Sequence, residues 1–529
     1  MRLAAQSVAI RAKIFLAMIT PPSAVHRARL LAASAVLILV LGSAGRSPGQ
    51  AWQGYGKNSQ HTAQSEIQLQ SLGTIVWQTA VDLQPQYQGN DLFIHYGSPV
   101  ITNANTVIVP VKTGATDGFE LQARSGLDGT LLWTQTTDYV LPPSGWTPSY
   151  SPTLTPQGRV YWAAAGGSLN YRANLDAPGA VIPNQVNFYV SKKNKFSSNV
   201  QISTPLTSDG NGNIYFGFEV NGQAGKKLGT GGIARMDSNG RGTFTTLNAG
   251  TNKTKTALRV VQNCAPALSN DGRTVYIAAH GTSAIRNGGA GFLFALDSTT
   301  LRVNNSVALL DPQSGAPAQL PDDGTASPTV GPDGRVFFGV LESPFATDKG
   351  WLLQFNAALS QSSGVPGAFG WDDTASIVPA AMVPSYQGSS SYLLMTKYNN
   401  YARIGGDGLN RIAILDPSDS QVDARTGATV MKEVITIVGQ TPDDEFDGSQ
   451  PGAVREWCIN SAAVDPLSHS VLANSEDGKL YRWDLTTNTF SEVITLTPGI
   501  GEAYTPTIIG ADGKVYAINN ATLFAIGGL

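Results

Sequence analysis

A short pattern that returns eight times along this chain limits what it can fold into. In residues 151–165 it reads S-P-T-L-T-P-Q-G-R-V-Y-W-A-A-A: a short apolar strand, a turn ending in Gly158, and a second, aromatic-rich strand. Related starts lie at Ser98-Pro99, Ser151-Pro152, Thr204-Pro205, Ala265-Pro266, Ser327-Pro328, Val378-Pro379, Ser461-Ala462 and Thr505-Pro506, in steps of 53, 53, 61, 62, 51, 83 and 44 residues. One small sheet cannot bury both of its faces, so units of this length stack around an axis as a β-propeller. The expected fold is all-β, an eight-bladed propeller of four-stranded antiparallel blades. Seven blades is the alternative, should the irregular sixth unit merge with a neighbour.

Within a unit, Asp-Gly pairs at Asp271-Gly272, Asp333-Gly334 and Asp512-Gly513 mark hairpins, because glycine accepts the positive φ that tight turns require. Second strands such as 275–279, 336–340 and 515–518 are short apolar runs suited to burial on both faces. The first strand, Leu72 to Val81, has no partner nearby, while the last unit, from Tyr504, holds only three strands. The two ends are therefore expected to complete one blade and close the ring.

The first 44 residues carry five basic side chains and no acid before an apolar run from Leu30 to Gly42, followed by the small residues Gly42, Ser43 and Ala44. Such a run suits a signal peptide better than a membrane span. Residues 1–45 are read as a signal peptide or N-terminal membrane anchor, 46–71 as an arm leading in, and 72–529 as the propeller. The protein is expected to be exported to the periplasm or outside the cell, touching a membrane only if the apolar segment is retained. Cleavage leaves 30 basic residues against 38 acidic. That balance speaks against nucleic acid, which asks for clustered Lys and Arg.

The repeats resemble the propellers related to the pyrroloquinoline quinone (PQQ) dehydrogenases. Three features carry the likeness: Trp52, Tyr55, Gly56, His61, Thr62 and Ser65 in the arm; the order S-P, D-G-x-V-Y, G-x-L-x-A-L-D, which residues 265–297 follow as A-P, D-G-x-x-V-Y, G-x-L-x-A-L-D; and the turn from Ser125 to Trp133, similar to a motif whose Trp docks adjacent blades. The resemblance implies that active members hold the quinone between a Trp and a disulfide of adjacent cysteines, with calcium or a lanthanide beside a catalytic Asp. Cys264 and Cys458 are 194 positions apart, and no C-x-x-C-H haem signature is present. The nearer comparison is the non-enzymatic branch of scaffolds and docking surfaces. PQQ is not expected, and no other cofactor is predicted.

Departures from the repeat carry the remaining candidates. Residues 386–411 hold Tyr398, Asn399, Asn400 and Tyr401, a composition suited to a protein or glycan partner. Asp443, Asp444, Glu445 and Asp447 crowd oxygen ligands that could hold calcium. His61 is expected to tether the arm, His95 and His280 to face the axis or a loop surface, and His469 to sit in a solvated turn. Glycines 225, 229, 231 and 232 near Lys226 and Lys227 lack the order of a phosphate loop. No catalytic set is readable. The expected role is an exported binding or scaffold propeller; the alternatives are a quinone-dependent oxidoreductase, or a polysaccharide lyase or hydrolase working in the axial channel.

Overall fold

The structure, a computed structural model, describes residues 51–89, 91–189, 199–222, 227–249, 256–281, 290–344, 347–360, 364–443, 450–499 and 504–528. Residues 1–50, which include the expected signal peptide or anchor, and Asp444, Glu445 and Asp447 lie outside the described residues. The described residues form eight antiparallel sheets of three or more strands, with a two-stranded hairpin, 87–88 with 91–92, between the arm and blade 1. Helical structure among them is confined to three-residue 3-10 turns, and none is long and apolar enough to cross a membrane.

Blades 1, 2, 6 and 7 are four strands each, taken in chain order from inside to outside. In blades 3 and 4 two short pieces share the inner position: 200–202 and 207–208 both pair with 214–220, and 256–260 and 267–268 both pair with 274–281. Blade 5 departs from the four-strand expectation, with only 329–330, 336–340 and 351–355. Its open edge is covered instead by the following loop, through a reciprocal pair of hydrogen bonds between Leu352 and Gly367 (3.1 and 2.8 Å). The neighbouring blade braces that loop: Met431 N donates to Pro366 O at 2.8 Å.

Blade 6 does not merge with a neighbour. It has its own sheet, 376–379, 392–398, 411–422 and 429–438. Its start is shifted from the sequence expectation: Ser327 N donates to Thr374 Oγ1 as Ala265 N does to Ser327 Oγ, so Thr374-Ala375, not Val378-Pro379, is the equivalent start. Alanine stands at the second position, as it does in Ser461-Ala462, where the other six units carry proline, and Pro379 ends the strand instead.

Ring closure runs through the N-terminal strand. Thr74–Ala80 pairs antiparallel with Thr522–Gly527, from Thr74 opposite Gly527 to Ala80 opposite Thr522, as the outermost strand of blade 8. Trp77 is buried in this strand; its ring packs on Gly129 of blade 1 and lies 5.6 Å from Tyr516. Trp133 of blade 1 passes the contact on, donating to Leu175 O of blade 2 at 2.7 Å under the Arg172 guanidinium.

The blade starts are joined in a closed circuit of hydrogen bonds. Thr505 Oγ1 donates to Tyr96 O, Ser98 N to Ser151 Oγ, Leu206 N to Ser151 O, Asn263 N to Ser203 O, Ala265 N to Ser327 Oγ, Ser327 N to Thr374 Oγ1, Thr374 N to Asn460 O, and Thr507 N to Ser461 O, all between 2.9 and 3.3 Å. Buried polar groups need partners, and here each blade supplies them to the next.

The arm fills the axis. Its backbone bonds successive inner strands in chain order: Trp52 to Ile101, Gln53 to Leu154, Ser59 to Leu268, Gln60 to Val330, Thr62 to Ile377, Ala63 and Ser65 to Val464, and Gln70 to Gly513. Seven of the eight blades are thus bonded, blade 3 being met by contact at Gly54. His61 tethers the arm through Nδ1 and Pro328 O, 2.7 Å apart, and Tyr55 OH bonds Thr325 O, Thr374 Oγ1 and Asn460 Oδ1 of three blades.

Candidate functional site: the axial mouth

Residues just before the starts of blades 2, 5, 6 and 8 come together beside the axis. There a cavity of about 360 Å³ is lined by Trp146, Asp323, Asp348, Trp371, Asp372, Arg403 and Tyr504, with Pro321 and Leu341. These residues come from the connections 1–2, 4–5, 5–6 and 7–8, from the loop after strand 336–340, and from the blade 6 loop that holds Arg403. The volume falls at the small end of ligand pockets, which run from about 300 to 1,000 Å³.

One wall is aromatic. Trp146 stacks on His95 (5.1 Å, 18° between planes), and Tyr504 meets both rings edge-on. His95 stacks on Trp146 and Phe93 meets it edge-on at 4.9 Å, while the indole still lines the cavity. The indole is held in place from its backbone, since Trp146 N donates to Asp323 Oδ1 at 3.0 Å. His95 itself is held by Asn263, whose Nδ2 lies 3.3 Å from its Nδ1 and also bonds Asp322 O and Gly324 O. Burial pushes the His95 pKa down to about 4, so the ring is neutral, and its Nε2 has no hydrogen-bond partner.

The other wall is ionic and largely self-neutralised. Arg403 and Asp348 pair at 3.3 Å on the rim. Below them Lys397, buried, lies 3.8 Å from Asp372 and 5.5 Å from the centre of the Tyr504 ring. Asp372 also accepts from Thr325 N and Oγ1. Its neighbour Asp373 is wholly enclosed and bonded by Thr396; burial outweighs the Lys397 charge and raises this carboxyl to about 7.

A second buried cluster sits behind Asn263. His280 Nε2 and Asp322 Oδ1 are 2.8 Å apart, and Gln262 links Asp322 to Glu219. Burial works to lower the His280 pKa, but the bond and charge of Asp322 outweigh it and the net shift is upward. Burial also raises Glu219, to about 7, against the Arg259 guanidinium 3.4 Å away.

The sequence candidates fall on both sides of this picture. His95 and His280, expected to face the axis or a loop surface, are both buried, His95 behind Trp146 and His280 in the cluster behind Asn263. The loop of the sixth unit reaches the mouth, but through Arg403. Tyr398 is the last residue of a strand, buried, and donates to Glu433 Oε1 at 2.9 Å; Asn399 exchanges bonds with Trp457 N and O; Tyr401 is buried against them; and half-buried Asn400 accepts from Arg425 at 2.8 Å. These four hold the loop to the fold, so as anchors for a partner they would first have to leave internal contacts. Asp443 bonds Ala453 O through its backbone. Among the described residues no three His, Cys, Asp or Glu side chains come together as a metal group.

No family model and no curated protein matches the sequence. Solved structures do match by shape. A quinohemoprotein alcohol dehydrogenase from Comamonas testosteroni aligns at a TM-score of 0.55 and 12% identity, over 94% of this chain and 84% of its own. The chain shares its propeller fold with this dehydrogenase. A europium-containing methanol dehydrogenase aligns at 0.54 and 10% identity over 89% of each chain, and the quinohemoprotein alcohol dehydrogenase ADHIIG from Pseudomonas putida HK5 at 0.50 and 12%, over 91% and 76%. At such identities the likeness speaks for the fold alone.

The quinone that active quinoprotein dehydrogenases carry does not fit this mouth. Its platform of adjacent cysteines has no counterpart: Cys264 is a buried thiol at the start of blade 4, and Cys458 is buried between blades 6 and 7, 2.8 Å from Glu476 and 3.3 Å from Tyr504 OH. Asp348 and Asp372 already face Arg403 and Lys397, so neither is a spare ligand for calcium, which seeks six to eight oxygens.

Proposed function

We propose that this protein is an exported, non-catalytic binding propeller that takes its ligand at the axial mouth. The observation that carries the reading is the mouth itself: a preformed cavity with two indoles and a phenol beside carboxylates and a guanidinium, on a ring closed at blade 8 and packed along its axis by the arm. Rigid walls lower the entropy lost on binding. The propeller fold shared with quinoprotein dehydrogenases makes an oxidoreductase the rival, and the misfit of the quinone weighs against it. Export rests on the basic and apolar N-terminal residues.

Reconstitution separates the two. Purified protein incubated with PQQ and calcium, or with a lanthanide, then desalted, is expected to carry no quinone absorbance and to reduce no dye with alcohols or sugars. Stoichiometric quinone with dye reduction overturns the binding reading.

A further inference from the structure

We infer that the ligand of the mouth is a neutral saccharide, the end of a glycan chain, stacked on the indoles of Trp146 and Trp371 with its hydroxyls shared among Asp323, Asp348, Asp372 and Arg403. The inference rests on the binding reading above and specifies its ligand class.

Charge decides against the other classes. Asp323, Asp348 and Asp372 face only Arg403 and the buried Lys397, so the mouth keeps an excess of one carboxylate, which disfavours phosphates, uronates and other anions. A cation is disfavoured for a different reason. Asp348 and Asp372 are already paired with Arg403 and Lys397, and the Lys397 ammonium occupies the cation site on the Tyr504 ring. A quaternary ammonium would be placed against a fixed positive charge. A neutral ring meets neither penalty. Its C–H faces bury against indole, and vicinal hydroxyls both donate to carboxylate oxygens and accept from a guanidinium, the donor and acceptor mixture this wall presents. The cavity is compact, suiting a chain end better than a long internal stretch.

The mature protein, applied to an array of neutral glycans and then titrated by calorimetry with those bound, is expected to bind at one site per chain. Trp371→Ala is expected to weaken the affinity by at least about tenfold, as aromatic anchors do, while Trp371→Phe keeps most of it. Both variants should melt with the wild type; if Trp371→Ala does not fold, the Asp348→Asn variant, on the exposed rim, should still show a severalfold loss. Choline and digalacturonate serve as charged probes. Silence toward every neutral glycan, with Trp371-dependent binding of either charged probe, would refute the saccharide and leave the mouth as a binding site. Neutral binding that Trp371→Ala and Asp348→Asn leave untouched would refute the placement at the mouth. No binding of any probe would refute both readings.

Discussion

Replacing Gly129 by alanine tests how the ring is closed. Gly129 has φ of 76°, and a Cβ added there would lie 2.8 to 3.0 Å from the Trp77 ring, closer than such contacts form. Two costs follow. The left-handed backbone costs an L-residue about 1–2 kcal/mol, and forcing a methyl into a packed indole costs about 1–3 kcal/mol more. Because Trp77 belongs to the strand that completes blade 8, the damage should appear as loosening of residues 74–80. Denaturant unfolding should register a loss of about 2–5 kcal/mol, and proteolysis under native conditions should cut first near the N-terminal strand. The indole is the source of the steric part alone, so in a Trp77→Ala background the same glycine substitution should cost only the backbone part. An equal penalty in both backgrounds would refute the packing of Trp77 on this turn as the closure contact.

Tyr55→Phe should cost about 1–3 kcal/mol, because it strips the hydroxyl that bonds three blades and leaves Asn460 Oδ1 short of a buried partner; unchanged stability would show that the axis tolerates water there. Glu219 gives a pH signature. With its carboxyl raised from 4.5 to about 7, the folded state keeps a proton that the unfolded chain has lost, so its contribution to stability declines as pH rises from 4.5 to 7, by about 3 kcal/mol at most. His61 and His95, lowered to about 4, act in the opposite sense and are common to both proteins, so wild type minus Glu219→Gln should isolate the decline; a flat difference would contradict the shift. Cys264, whose thiol burial pushes up to about 12, and buried Cys458 should resist a thiol reagent until denaturant is added, when two thiols per chain should react; a protein with no titratable thiol after unfolding would mean that they had paired.

Much of the architecture was legible because each blade repeats its local instructions. Starts such as Ser327-Pro328, turns such as Asp333-Gly334 and apolar second strands lie within thirty residues of each other, and the unmatched strand at 72–81 asked for the deficit at the other end. Where the instruction was rewritten, the reading slipped: Ala375 replaces the proline that marks most other starts, and the outer strand of blade 5 gives way to a loop bonded through Gly367. The mouth was hidden for a geometric reason. Trp146, Asp323, Trp371 and Tyr504 lie far apart in sequence and share no spacing, since each comes from a different connection between blades. A signal did exist. Placing the starts in register puts His95, Asn263 and Tyr504 within three residues before their blade starts, and with the sixth start moved to Thr374 adds Asp372 and Asp373, a set of rings and polar side chains with no need to be there for strand formation. The tyrosines and asparagines at 398–401 misled because composition shows what a loop is made of and not which side chains it turns inward.

Crystals of the protein grown with a neutral glycan identified on the array test the location of the ligand most directly. Density for a sugar ring is expected against Trp146 and Trp371, with hydroxyls within hydrogen-bond distance of Asp348 and Arg403. A ligand bound on the outer strands or on another loop, with the mouth holding only solvent, would contradict the mouth as the binding site.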